Sequence, residues 1–260
     1  ARARAQPRRL LVLGHLRGDT AALADALRQT APPDSALLVL LPGNFSGNSW
    51  EETGRVIHFL ATRLRGTGAR AMLMPGAAEW TAGGGGTTRI KKLRKTVAAQ
   101  DSGGAVVQLW PSDKGCPGRQ ALPLGAGAVL IGTDSEWWLQ RPDRRPGWES
   151  DCSEKAPHQI LDELDGLLTE AAGKRVILAS PHTLRSTGPR GGYFGPRQHF
   201  FPLTDARGLQ HAWLPLPGIG SLYPAARGLF VGREDRAAPA YSAYASAVEA
   251  LLSEHPAAIV

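Results

Sequence analysis

Two cysteines and two methionines are all the sulfur this 260-residue chain carries. Cys116 and Cys152 stand in loop-like contexts, "KGCPG" and "ESDCSE", and neither offers the spacing of a zinc-ligand pair. One disulfide between them is the natural reading and would favour an oxidising compartment; two unpaired loop thiols are the alternative. Long hydrophobic runs are also missing. The longest, "ALLVLLPG", has the length of a strand, well short of the roughly 20 apolar residues of a spanning helix. The glycine run at residues 83–86 reads as a mobile loop, and it lacks the Gly-Lys-Ser/Thr ending of a phosphate-binding P-loop. No internal repeat and no interdomain linker stand out.

Apolar residues make up 42%, enough for a substantial core and against global disorder. The formal charge is +7, most of the cations being arginine. That balance permits contact with anionic lipid or phosphate groups, or it reflects base composition of the coding sequence. No nucleic-acid partner is expected. The opening "ARARAQPRR" lacks methionine, as after removal of a signal peptide or in an excerpt of a longer protein.

Apolar runs alternate with amphipathic segments. Leu10–Gly14, residues 36–41, 70–76, 126–135 and 174–180 read as strands; the second is a continuous apolar run, as in a strand covered on both faces. Asp19 is placed to cap a helix that carries Leu23 and Leu27 and stops at a Pro-Pro pair. Ser49 and Glu52 form a capping-box pair ahead of "RVIHFLATRL". "RIKKLRKTVAA", "PHQILDELDGLLTEAA" and "YSAYASAVEALLSEH" are the remaining helices, and "PAAIV" begins one more strand. The "RIKKLRK" stretch is a solvated helix face or an anion site. This is an α/β layered fold, expected as a single domain over residues 1–260, with function at the carboxyl ends of the strands.

Those ends carry "LGHLRGD", "LLPGNFSGN", "LMPGAAEW", "GTDSEWWL" and "LASPHTLRSTGPRGGYF". With "GCPG" at 115–118, "DSEWWL" at 134–139, "GPRGGYF" at 188–194, "FPLT" at 201–204 and "LPLPGIGSLYP" at 214–224, the chain resembles the calcineurin-like metallophosphoesterase superfamily. It is most similar to a bacterial branch that carries this domain ahead of an outer-membrane β-barrel. The resemblance spans nearly the whole chain. It implies a β-sandwich flanked by helices, a periplasmic or outer-membrane-associated location, and a covalently linked or associated β-barrel as partner.

The resemblance also implies a site of two divalent cations, such as manganese, iron or zinc, which activate water and stabilise phosphoryl oxygens. Carboxylates offset the charge and imidazoles complete the shells. Position by position, the donors have been replaced. His15 stands where an aspartate belongs, and Gly43 where the bridging aspartate belongs, with Asn44 retained beside it. Ala77 and Ala78 replace the asparagine and histidine ligands, while Glu79 keeps the acid. Pro181 holds a histidine's place, next to His182. The final Gly-His-x-His would fall just beyond Val260. No cofactor and no catalytic residue are therefore expected. The resemblance points to a catalytically degenerate domain with a structural or binding role at the envelope. The alternatives are an active phosphoesterase with rearranged ligands, and a metal-free sensor of a phosphate-containing ligand or nucleotide. A one-metal site built from His15, His182 and Asp19 is a further alternative. Asp134 is expected to bond loop backbone, and Trp137 and Trp138 to pack or to stack on a ligand.

Overall fold

The computed structural model describes residues 7–30, 32–47, 49–81, 86–101, 106–117, 120–140, 145, 152–153, 156–185, 196–201, 203, 213–216, 222 and 238–255. The chain divides into two compact units: Ala1–His182 with Ala250–Val260, and Thr183–Glu249.

The first unit opens with β1 (Arg9–Val12), α1 (Thr20–Gln29), β2 (Leu37–Pro42), α2 (Trp50–Leu64), β3 (Arg70–Met74), α3 (Ala77–Thr81), α4 (Thr87–Gln100) and β4 (Val107–Leu109). Its four strands are parallel and lie in the order β1-β2-β3-β4. Then follow β5 (Gln120–Leu124), β6 (Ala128–Gly132), α5 (Ser135–Leu139), α6 (Pro157–Glu170) and β7 (Arg175–Ala179). In this second sheet β6 is central, antiparallel to β5 and parallel to β7.

Strand β2 explains the layering. Its side chains alternate between two apolar clusters, so both faces are covered. Leu37, Val39 and Leu41 join Val56, Ile57, Leu60, Leu64 and Leu93 on the helix side. Leu38 and Leu40 join Met72, Met74, Leu130 and Ala179, so the other face of the first sheet meets the second sheet. Each fully buried leucine contributes about 1.5–3 kcal/mol of apolar transfer. The helices start where their caps stand: Asp19 Oδ1 accepts from the Ala21 and Ala22 N–H groups, and Ser49 Oγ from the Glu52 N–H at 3.1 Å. Cys116 and Cys152 form a disulfide with Cα atoms 5.4 Å apart, and neither thiol is free. Among the described residues no helix is long and apolar enough to cross a membrane.

Several elements begin or end earlier than the sequence predicts. β1 stops at Val12 and not Gly14, and β3 at Met74 and not Gly76, because the following residues leave the ladder to form loops. β6 stops at Gly132, after which Asp134 caps α5. β4, β5, α3 and α5 are additional elements. The strand expected at "PAAIV", the "GPRGGYF" segment and most of the glycine run lie outside the described residues.

In the second unit, α7 (Pro196–Phe200) is tied to residues 213–216 by the Leu216 N–H, which donates to the Phe200 carbonyl at 2.8 Å. Phe201 meets Trp213 edge-on with ring centroids 5.3 Å apart, and the Arg197 guanidinium lies 4.7 Å over the same indole. The last helix, α8, is Pro239–Glu254.

Candidate functional site

The loops after β1, β2, β3 and β7 meet at the carboxyl ends of their strands. The β1 loop follows the β2 loop: the His15 N–H donates to the Gly43 carbonyl at 3.3 Å, Arg17 N–H to Asn44 at 2.9 Å, and Gly18 N–H to Phe45 at 3.1 Å. His15 and Asn44 adopt positive φ, 61° and 50°. Their side chains meet, with Asn44 Nδ2 3.3 Å from His15 Nδ1, while Asn44 Oδ1 accepts the Ala78 N–H at 3.0 Å. Both ends of the Asn44 amide are therefore engaged by protein groups.

Gly43, at φ 71°, is where three loops converge. A Cβ on Gly43 would stand 3.3 Å from Pro181 Cβ and 3.6 Å from Gly76 Cα; one on Gly76 would stand 2.7 Å from Gly43 Cα. A side chain at Gly43 would thus meet a proline ring and backbone at close range. Ala77 and Ala78 form the first turn of α3 and bring no donor side chain.

Glu79 points the opposite way from a ligand. It is 1% exposed, and its carboxylate accepts the N–H groups of Asn44 (2.9 Å), Gly76 (2.8 Å) and Ser46 (2.8 Å). Burial pushes its pKa above the ordinary carboxylate range, and the backbone donors work against that rise. Arg89 of α4 donates to the carbonyls of Glu79 (3.1 Å) and Ala78 (3.3 Å), and burial lowers its pKa while the Glu79 charge opposes the fall. Glu79 is therefore the tie between the β2 and β3 loops.

A second cluster lies beside Pro181. His182 Nδ1 is 2.9 Å from Ser135 Oγ, and Nε2 is 3.4 Å from the Glu136 carboxylate, which also accepts from Gln140 Nε2. Serine, histidine and an acid in contact is the arrangement of a nucleophile and its base. Here Ser135 is wholly buried, and its Oγ also accepts the His182 N–H at 3.2 Å. No substrate carbonyl can approach it, so the cluster fastens the β7 loop to α5. Ser135 and Glu136 are not candidates from the sequence; they stand 47 and 46 residues before His182, inside "DSEWWL", where Asp134, Trp137 and Trp138 are the residues singled out.

Asp134 is buried and accepts the Trp137 N–H at 3.1 Å, the backbone bond expected of it. Burial raises its pKa to about 7, with the nearby Glu79 charge adding to the rise and the Trp137 N–H opposing it. Trp137 packs with Trp80, Ile90 and Ile160, with Trp138 partly buried against them.

The structure does not bring His15, His182 and Asp19 into one site. Asp19 caps α1, His15 faces Asn44, and His182 faces Ser135 and Glu136. Among the described residues no group of three or more His, Cys, Asp or Glu side chains is placed to hold a metal ion. The donors at the positions the resemblance names do not fit two divalent cations: they are one acid committed to backbone N–H groups, one amide committed at both ends, and two imidazoles, His15 on Asn44 and His182 on Ser135 and Glu136. No protein-family model, curated protein or solved structure matches the chain.

Proposed function

We propose that this chain is a catalytically degenerate domain of the metallophosphoesterase type, with a structural or binding role at the bacterial envelope. Its partner on this reading is an outer-membrane β-barrel, covalently linked or associated. The family comes from the motifs at the strand ends. The loss of catalysis rests on one observation above all: Gly43, Gly76 and Pro181 are packed within a few ångströms of one another where a bridging carboxylate would stand. The disulfide supports an oxidising compartment such as the periplasm. The loop frame remains useful without metals, because Glu79 and His182 hold it by hydrogen bonds that no substrate has to complete.

The test is elemental analysis of protein purified without chelator, joined to hydrolysis assays on p-nitrophenyl phosphate, its bis-ester and nucleotides with added manganese. We expect no stoichiometric manganese, iron or zinc and no turnover. Two tightly bound metals per chain, or turnover that copurifies with the protein and disappears on His182→Ala, overturns the reading in favour of a rearranged active site. Stabilisation by nucleotides without metals would favour the sensor instead, since a ligand of the folded state raises its apparent stability.

A further inference from the structure

The charged side chains on the outward face of α4 are all cations. Between Glu79 and Asp101 the chain has no acid, yet it has five cations: Arg89, Lys91, Lys92, Arg94 and Lys95. The whole chain has six lysines among its 30 Lys and Arg residues, and three of them, Lys91, Lys92 and Lys95, fall within five positions. Base composition that favours arginine does not gather lysine, so this cluster stands apart from the general arginine excess.

Ile90, Leu93 and Val97 form the buried stripe of α4. Lys91 and Lys95, one turn apart, lie on the opposite side and are exposed. Lys92 leans toward α2, 4.5 Å over the Trp50 ring, with the Arg89 guanidinium 4.7 Å over the same ring. Arg94 is exposed on the other flank, 3.8 Å from Asp113. Neither Lys91 nor Lys95 has an ion partner among the described residues, and the α2 acids Glu51 and Glu52 face Arg55 at 2.9 and 3.8 Å. The arrangement works against the helix. Lys91 and Lys95 stand at i,i+4, and Lys91–Arg94 and Lys92–Lys95 at i,i+3, spacings at which like charges destabilise. No acid in the first turn and no side-chain cap offset the positive end of the α4 dipole. An acid at position 91 would serve folding better, so the cations are answered from outside the chain.

We infer that this face of α4 docks on an anionic lipid surface, with Lys91, Lys92, Arg94 and Lys95 meeting the headgroup phosphates. The cations stand on a ridge and not in a cleft, which suits an extended surface over a single enclosed anion. Lysine ammoniums are hydrated point charges without the planar fork that grips one carboxylate or phosphate. Trp50, at the flank of the ridge, is a side chain that favours the headgroup zone. The disulfide favours an oxidising compartment, where lipid and not nucleic acid is the extended array of phosphates. Only that compartment is shared with the function proposed above; metal content and turnover do not bear on the docking face.

The probe is a vesicle of one part phosphatidylglycerol to two parts phosphatidylcholine, cosedimented with the oxidised full chain, beside vesicles of phosphatidylcholine alone. We expect binding to the anionic vesicle only, weakened by added salt as the charges are screened. Lys91→Glu alters the face by two charges and lowers the affinity roughly 25-fold, at about fivefold for each charge near the bilayer. It also raises the melting temperature, because a glutamate four residues before Lys95 makes the favoured helix pair. A face that is merely solvated shows the second effect without the first. Lys174→Glu, the same charge change at an exposed turn outside α4, leaves vesicle binding within about twofold, since its charge is screened from the ridge. Absence of binding to the anionic vesicle, or an equal loss in Lys174→Glu, overturns the inference. So does retention of a DNA duplex that exceeds vesicle binding and falls in Lys91→Glu, which would make the face a nucleic-acid site.

Discussion

Glu79 and Asp134 are two acids kept inside the protein for opposite reasons. Glu79 has three backbone donors around its carboxylate, so its removal would leave N–H groups of both loops without acceptors. Asp134 accepts the Trp137 N–H and sits at the edge of the tryptophan cluster, where desolvation outweighs its hydrogen bonds, and its pKa rises from 3.8 to about 7. The sign of the consequence follows. Between about pH 4 and pH 7 the folded chain holds a proton on Asp134 that the unfolded chain has lost. The stabilisation is complete below the unfolded pKa and is lost as pH rises through the folded one, on the order of 4 kcal/mol in all. Glu79, raised in the same direction, adds a slope of the same sign. Urea unfolding of the oxidised protein should therefore give higher stability at about pH 5 than at about pH 8. Asp134→Asn, which keeps the oxygen facing Trp137, should flatten that difference and leave only the Glu79 part. Identical pH dependence in the two proteins would sink this account.

At the scale of elements, the loops after β2 and β3 approach backbone to backbone at Gly43 and Gly76, and this is why a carboxylate at Gly43 is not accommodated. Gly43→Asp would place a Cβ against Pro181 at a positive φ that β-carbon-bearing residues rarely adopt. Gly76→Ala would drive a Cβ to 2.7 Å from the Gly43 Cα, with no flexible side chain able to give way. Both should lower stability by about 1–3 kcal/mol, the usual range for overpacking and backbone strain, and neither should gain metal affinity. Denaturant melts with and without manganese check both halves. A Gly43→Asp protein that is as stable as the parent and is further stabilised by manganese would reinstate a latent metal site. The sequence made the helix starts legible because Asp19 and Ser49 are strong local signals, and it made β2 legible because "LLVLL" is apolar on both faces. β4 has three residues, too few for a period. β5 is an edge strand with exposed alternate positions and a proline, so no apolar pattern marks it. The candidate site was legible as a set of loop positions. Its closure was not: Gly43 against Gly76 leaves no side-chain signature, and the Ser135–His182 contact joins residues far apart in sequence.

For the whole first unit, the disulfide is the one covalent tie between the loop before β5 and the loop before α6. The three strands of the second sheet share their inner face with the first sheet. Both cysteines are buried, Cys116 at 9% and Cys152 at 6% exposure, beside a depression lined by Trp110, Asp113, Lys114 and Glu163. The bond closes 36 residues of chain. In the chain-entropy account a loop of that length restricts the unfolded state by roughly 3–4 kcal/mol. That is a large share of the 5–15 kcal/mol typical of a whole domain. The first sheet and its helices form one apolar cluster that contains neither cysteine, so loss of the bond should weaken the second sheet's surroundings before it dissolves the first. We expect thiol titration of the unfolded, unreduced protein to find almost no free thiol. The Cys116→Ser, Cys152→Ser double variant should unfold at lower denaturant by an amount equivalent to roughly 3–4 kcal/mol. Hydrogen exchange in that variant should accelerate at β5 and at the start of α6 while the amides of β2 and β3 keep their protection, because their partners lie within the parallel sheet. Equal acceleration in β2 and β5 would mean that the two sheets open as one cooperative unit, and that the bond acts on the entire core rather than on its nearer half.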